Sequence, residues 1–402
     1  MNSSALSNRN YRIFLAGATI SLHGLWVYRV ALGWFAWQLT HSEFWVGVVA
    51  FTQFAPTVVF GPIFGVLADR FDRRAASMLA NALSFANMQL LGWLAFRGNV
   101  DINVLVCLSL MQGTLDGAYA PMRLAIVPNL VPSDQRHSAI ALTSVAFNLS
   151  RFVGPAFAGF IIAFWGVGAA FSVNAVSYLA MVVALAMITL DASADREHQH
   201  PWLELKEGAR YVLAHPTIRV LLLLSLLRSA LARGALEMLP AFADDVYGRG
   251  AAALSMLTSA TGAGAVAVGI AMSFGTSWLT MNIIRADILV AGLFIVVLSV
   301  IGTLGLALPV VAVLGALLSL GGVGSQILIQ TLVDDKVRGR VSSFWGVVVF
   351  GGTALGAPVI GAAAHVFGLQ LAVGASGALC ALLIAGSAIR YNAAAGNRRP
   401  PI

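Results

Sequence analysis

The chain of 402 residues is 59% hydrophobic and only 10% charged, against roughly half and a quarter in a soluble domain; this excludes a water-soluble fold and implies a polytopic membrane protein. Its net charge of +7 belongs to basic loops at a membrane surface rather than to a nucleic-acid interface. Cys107 and Cys380 both sit in apolar runs, with no disulfide or metal pattern.

At about 20 residues per crossing there is room for about twelve helices. The polar start Met1–Arg12 carries Arg9 and Arg12, and no small-residue cleavage site follows it, so an uncleaved cytoplasmic N-terminus is expected. Spans are predicted at Tyr11–Leu39, Phe44–Ala68, Ala75–Phe96, Ile102–Leu130, Gln135–Phe164 and Ala169–Leu190, with turns at His41-Ser42-Glu43, Arg97-Gly98-Asn99 and Trp165–Gly168. The polar stretch Asp191–Pro216 follows. Within it Trp202, Leu205, Ala209 and Val212 recur at helical spacing, predicting an amphipathic helix on the inner membrane surface. His198 and His200 lack helical ligand spacing and read as solvated linker residues. Further spans are predicted at Thr217–Phe242, Ala251–Phe274, Ile283–Leu308, Val310–Leu332, Val337–Phe367 and Gln370–Ile389. The expected organisation is a first bundle over 1–190, a linker over 191–216 and a second bundle over 217–402. Lys and Arg crowd one set of loops, with Arg97 and Arg249 on the other, which places both termini in the cytoplasm.

Between the second and third spans runs Gly61-Pro-Ile-Phe-Gly65-Val-Leu-Ala-Asp69-Arg70-Phe-Asp72-Arg73-Arg74. Gly61 and Gly65 share a helix face and admit a neighbouring backbone; the charges behind them mark a membrane surface. This stretch resembles the Gly-x-x-x-Asp-Arg-x-x-Arg-Arg loop signature of the major facilitator superfamily, with Asp72 in place of the usual glycine. The resemblance implies secondary transport by twelve helices arranged as two parallel six-helix repeats around a central cavity. A repeat is visible in the residues. Asn129–Arg136 aligns with Thr331–Arg338, and at the same offset Gly154 matches Gly356 and Gly159 matches Gly361. The charged hairpin itself has no counterpart in the second half. Asp69 and the arginines Arg70, Arg73 and Arg74 are therefore expected to meet Asp334, Asp335, Arg338 and Arg340 as a latch on the inner side.

Gly154-Pro155-x-x-x-Gly159 resembles the fifth-helix motif of superfamily antiporters that export. Proline removes a backbone donor and glycine removes bulk, and Gly356, Pro358 and Gly361 suggest the same hinge in the eleventh span. Charges inside spans are costly and mark solute or ion paths: Arg29, Asp116, Arg151, Arg228, Arg233 and Glu237. Arg29 and Asp116 lie at similar depth, roughly 15–20 Å from the outer surface at 1.5 Å per residue. They can pair, with Asp116 either a proton-carrying carboxyl or one side of a static buried pair. Arg233 and Glu237 share a helix face. Asp287, just after Arg285 at a helix start, reads as a cap or surface pair. Four arginines against two acids favour an anionic solute.

Pro121–Val131, Ser138-Ala-Ile-Ala-Leu, Arg151-x-x-Gly-Pro155 and Glu207-Gly-Ala-Arg-Tyr211 resemble the branch that holds enterobactin-type siderophore exporters and macrolide efflux pumps. No phosphate-binding Gly-x-x-x-x-Gly-Lys loop occurs, so a proton gradient is the expected energy source, with no cofactor, metal or catalytic residue. The expectation is an inner-membrane, monomeric antiporter in lipid that exports a small siderophore or drug. Uptake or exchange of an anionic metabolite stays open, as does lipid scrambling or a receptor role. Solute counterflow in liposomes separates these.

Overall fold

The structure, a computed structural model, describes residues 4–70, 72–189, 201–334 and 337–396; the side chains at 62, 63, 65–70, 124, 125, 201–206 and 387–396 lie outside the description. Its described residues form helices and turns without a strand: α1 Arg9–Thr40, α2 Glu43–Arg70, α3 Arg73–Phe96, α4 Ile102–Ile126, α5 Arg136–Met187, α6 Pro201–Ala214, α7 beginning at Pro216, α8 Gly250–Ser273, α9 Met281–Val300, α10 Leu304–Leu332, α11 Arg338–Phe367 and α12 Leu369–Gly396. Eight helices among the described residues are long and apolar enough to cross a membrane. α3 and α4 fall outside that group because they carry polar residues such as Asn81, Ser84, Asn87 and Gln112, all buried inside the protein. Large apolar side chains point outward instead, with Leu382 69% and Val359 67% exposed, as expected where lipid is the solvent.

Local chemistry sets the helix ends. Asn8, Asp72 and Asp101 cap α1, α3 and α4 by accepting from backbone N–H groups two or three residues on. Asp72 thereby has a definite role where the superfamily signature carries glycine. α1 stops at His41, in the left-handed region at φ 44°. α5 runs through 52 residues and folds back at Gly166, at φ 77°, so the predicted outer turn is a sharp bend within one element. The turn between α9 and α10 falls at Ile301–Thr303 rather than beside Pro309, which lies inside the first turns of α10. The largest departure is in the seventh span. Its regular helix ends at Leu227, and π turns at Arg228–Arg233 and Phe242–Val246 flank a short 3-10 turn. Such irregular backbone recurs at functional sites.

Helices α1 to α5 pack among themselves, as do α7 to α12, and the two sets meet along two seams, α2 with α11 and α5 with α8. The seams are tight on the side away from the termini. A Cβ on Gly47 would lie 2.6 Å from the Ala357 carbonyl oxygen, and one on Gly159 would collide with the Ser255 side chain. Toward the terminal side they loosen. Phe54 stacks on Phe350 at 6.2 Å, and beyond it Gly61, Gly269 and Gly346 have no neighbour within 4 Å of a Cβ position. The far side is also tied by the Trp37 indole donating to Asp244 at 2.9 Å. Trp37→Phe removes that donor at a cost of about 0.5–1.5 kcal/mol. We expect the far-side-closed state to lose population by about two- to tenfold, read as faster labelling of a cysteine at Gln53 by an impermeant thiol reagent. Unchanged labelling would remove Trp37 from the closure.

Candidate functional site

Between the two sets lies a cavity of about 790 Å³, counting the space open to solvent, walled by α1, α2, α5, α7 and α8. Trp26 and Arg29 stand three residues apart on one face of α1. Arg29 holds its guanidinium 4.9 Å from the Trp26 ring and 5.5 Å from that of Phe54, within cation–π range. Gly154 is what brings α5 against this face: a Cβ there would lie 2.5 Å from the Trp26 Cβ. One helical turn earlier, Arg151 consequently reaches to 5.8 Å of the same ring. Arg233 comes from the π turn of α7 and pairs with Glu237 at 2.8 Å, and both line the cavity. Three guanidiniums against one carboxylate leave two positive charges facing the cavity. The buried Nε of Arg29 has no hydrogen-bond partner. The arrangement suits a small molecule with an aromatic or apolar body and acidic groups.

The other intramembrane charges lie elsewhere. Asp116 is half-buried inside the first set and does not line the cavity. One of its oxygens, Oδ1, accepts from Gln112 Nε2 at 3.0 Å and from the Tyr178 hydroxyl at 3.1 Å. Gln112 in turn touches Ser84 and Asn87, so a polar network joins α3, α4 and the second arm of α5. The pairing open to Arg29 and Asp116 at equal depth is thus not made, because the nearer donors of Gln112 and Tyr178 occupy the carboxylate. Arg228 is buried at the start of the π turn, donating to the Leu318 carbonyl at 2.9 Å. Near it, Asp287 is only 3% exposed. This corrects the reading of Asp287 as a surface cap: α7 and α10 close over the first turns of α9, a tertiary effect that no local pattern announces.

The glycines and prolines expected to act as hinges are found at close helix contacts. Gly159 abuts Ser255, Gly356 abuts Ala230, Gly361 abuts the Glu43 carbonyl, and Pro358 lies where α11 crosses Gly47; Pro155 lines the cavity. On the terminal side, Arg74 donates to the carbonyls of Leu185 at 2.7 Å and Ala186 at 2.6 Å, closing the end of α5 within its own set. Arg73 opens α3. Arg340 pairs with Glu207 of α6, Asp334 meets the Tyr211 hydroxyl at 3.4 Å, and Arg338 reaches the Val333 carbonyl at 3.5 Å. The surroundings of Gly65, the side chains of Asp69 and Arg70, and all of Asp335 lie outside the description.

Residues 2–397 match the family model described as transmembrane secretion effector. The staphyloferrin A transporter of Staphylococcus aureus is 24% identical over 59% of this chain, a match spanning 60% of that transporter's length; a transporter of Bacillus subtilis, YfiS, is 26% identical over 51% of this chain and 49% of its own. The enterobactin exporter EntS of Shigella boydii is 26% identical over 87% of this chain and 83% of its own. Among solved structures, a bacterial homologue of the human lysosomal transporter Spinster, inward-facing and unoccupied, superposes with a TM-score of 0.73 at 15% identity, covering 94% of this chain and 96% of that one. A D-xylose–proton symporter gives 0.70 at 14% identity, covering 92% and 96%. At these identities the likeness is one of fold.

Proposed function

The chain belongs to the transmembrane secretion effector family of the major facilitator superfamily, and from that premise we propose that it is a proton-coupled exporter of a small anionic or amphipathic compound, a siderophore or a drug, working by alternating access. The observation that carries the cargo class is the cavity itself: three guanidiniums, two of them set against the Trp26 ring, with only Glu237 opposing them. A protonated amine would meet like charge there; a carboxylate or catecholate on an aromatic body would meet donors and a ring face.

The seams that close on the far side and loosen toward the termini support loading from the terminal side, which is the cytoplasm in this reading. The N-terminal bundle over 1–190 and the C-terminal bundle over 217–402 then rock about the cavity, with the linker 191–216 joining them at the inner face of the inner membrane. Asp116 is the carboxyl that exchanges protons in the first bundle. In the opposite state, the hairpin arginines and Asp69 would meet the start of α11 to close the inner side. The kinship with an enterobactin exporter supports the outward direction.

Binding tests the cargo class directly. A ligand present at a hundred times its dissociation constant stabilises a folded protein by about 2.7 kcal/mol. A thermal-shift screen of the purified protein against siderophores, antibiotics and organic acids is expected to return acidic aromatic compounds. Arg29→Ala should then weaken the acidic ligands by about tenfold or more, at 1.5–3 kcal/mol for a hydrogen bond to a charged group, and leave neutral ones nearly unchanged. Equal losses for both classes would argue against an anion site.

A further inference from the structure

The second half of the chain buries a charge pair that the transport cycle above does not use. Asp287, in the second turn of α9, and Arg228, first residue of the π turn of α7, are 3% and 4% exposed. Arg228 places one terminal nitrogen on the Leu318 carbonyl of α10, while its Nε has no partner. Neither carboxylate oxygen of Asp287 meets a hydrogen-bond donor. Two glycines of α10 make the room. A Cβ on Gly321 would collide with Asp287 Oδ2 and lie 3.1 Å from Arg228 Cδ, and one on Gly322 would lie 3.3 Å from a terminal nitrogen of Arg228. The carboxyl and the guanidinium therefore edge the same small gap without a hydrogen bond between them. The other titratable groups near this pair among the described residues are Arg285 on α9, Cys380 on α12 and Arg233 further along α7; α10 brings none.

A charged carboxylate out of water with no donor on either oxygen is costly, and a neutral acid in the same place is far less so. Here the donor that would repay the charge, Arg228, is engaged with a backbone carbonyl. We propose that Asp287 is a second proton-carrying carboxyl, neutral while Arg228 holds Leu318, and that loss of its proton to water draws Arg228 off that carbonyl into a contact pair. The O–H bond of Asp287 breaks, the proton leaves to solvent, and the pair formed carries no net charge. Arg228 opens the same π turn that ends at Arg233, and Arg233 holds Glu237 in the cavity wall. The proton on Asp287 is thereby coupled to the shape of the cavity through one turn of irregular helix. As a coupling site, Asp287 rests on the proton-driven reading given above.

The test follows the proton itself. The full chain in liposomes is titrated with acid and base while the carbonyl stretch of protonated carboxylic acids is followed by infrared spectroscopy, for wild type, Asp287→Asn, Asp287→Glu and Asp116→Asn. The expected result is a titrating band that is lost in Asp287→Asn, shifted in Asp287→Glu and kept in Asp116→Asn. The same titration of Asp116→Asn protein grown with isotope-labelled aspartate shows the band with Asp287 intact, should Asp287→Asn fail to fold. Identical bands in wild type and Asp287→Asn, or no labelled aspartic-acid band in Asp116→Asn, would overturn the proposal. Each coupled proton supports about a tenfold solute gradient per pH unit, so accumulation of a transported acid should also fall by that factor in Asp287→Asn. Equal accumulation in the two proteins refutes the coupling role. A band without any gradient-driven transport in wild type refutes the proton-driven reading instead and leaves Asp287 as a proton site alone.

Discussion

Asp116→Asn should lower accumulation driven by a pH gradient by about tenfold per pH unit and leave solute exchange within about twofold of wild type, because a group that cannot ionise removes the driving force of its own proton without removing its fold contacts. The amide oxygen of asparagine can still accept from Gln112 and Tyr178, as Oδ1 does now. The network with Ser84 and Asn87 is then retained, so stability is not expected to drop by more than about 1 kcal/mol. Proteoliposomes with an imposed pH gradient measure the first quantity and counterflow measures the second. Undiminished accumulation would make Asp116 a structural member of its network; parallel loss of exchange would make it part of the solute path.

Gly361→Leu is expected to open the far side. A side chain at Gly361 meets the Glu43 carbonyl, and the adjoining crossing at Gly47 is equally closed, its would-be Cβ 2.6 Å from the Ala357 oxygen. Both obstacles are backbone and cannot turn aside, so α2 and α11 must part. Overpacking of this kind costs about 1–3 kcal/mol, roughly a five- to hundredfold loss of the far-side-closed state. Turnover should fall with it, and a cysteine at Gln53 should become open to far-side labelling. Gly305→Leu is the control, since nothing lies within 4 Å of its Cβ position. Equal behaviour of the two variants would mean that the α2–α11 seam does not gate the cavity.

The sequence read well where membrane physics acts locally. Long apolar runs must become helices because lipid satisfies no backbone group, and the turns at His41–Glu43, Arg97–Asn99 and Gly166 follow from residues that can sit there. Arg233 and Glu237 were legible as a pair because four residues on a helix fix their spacing. What spacing cannot give is rotation. Arg29, Asp116 and Arg228 all looked alike as charges within spans, yet one faces the cavity, one a network of amides and hydroxyls, and one a gap in α10. Asp287 was the hardest to read, since two residues after Arg285 it has every local mark of a helix start at the surface. Its burial comes from the π turn of α7 and two glycines of α10, which lie far apart in the chain. Irregular helix in the seventh span likewise had no sequence signature beyond its charges.

The two positive charges left in the cavity have an electrical meaning as well as a chemical one. Membrane voltage acts on net charge that crosses its field, at about 2.3 kcal/mol per elementary charge per 100 mV. A dianionic cargo would cancel the cavity charge, so the loaded carrier would change conformation almost blind to voltage. The empty carrier would not. In the orientation proposed above, a potential negative inside would pull the unloaded positive cavity back toward the interior, so that resetting would be the electrogenic step. The same charges would make the vacant cavity inhospitable to sodium and hydronium ions, insulating the membrane against leakage between turnovers.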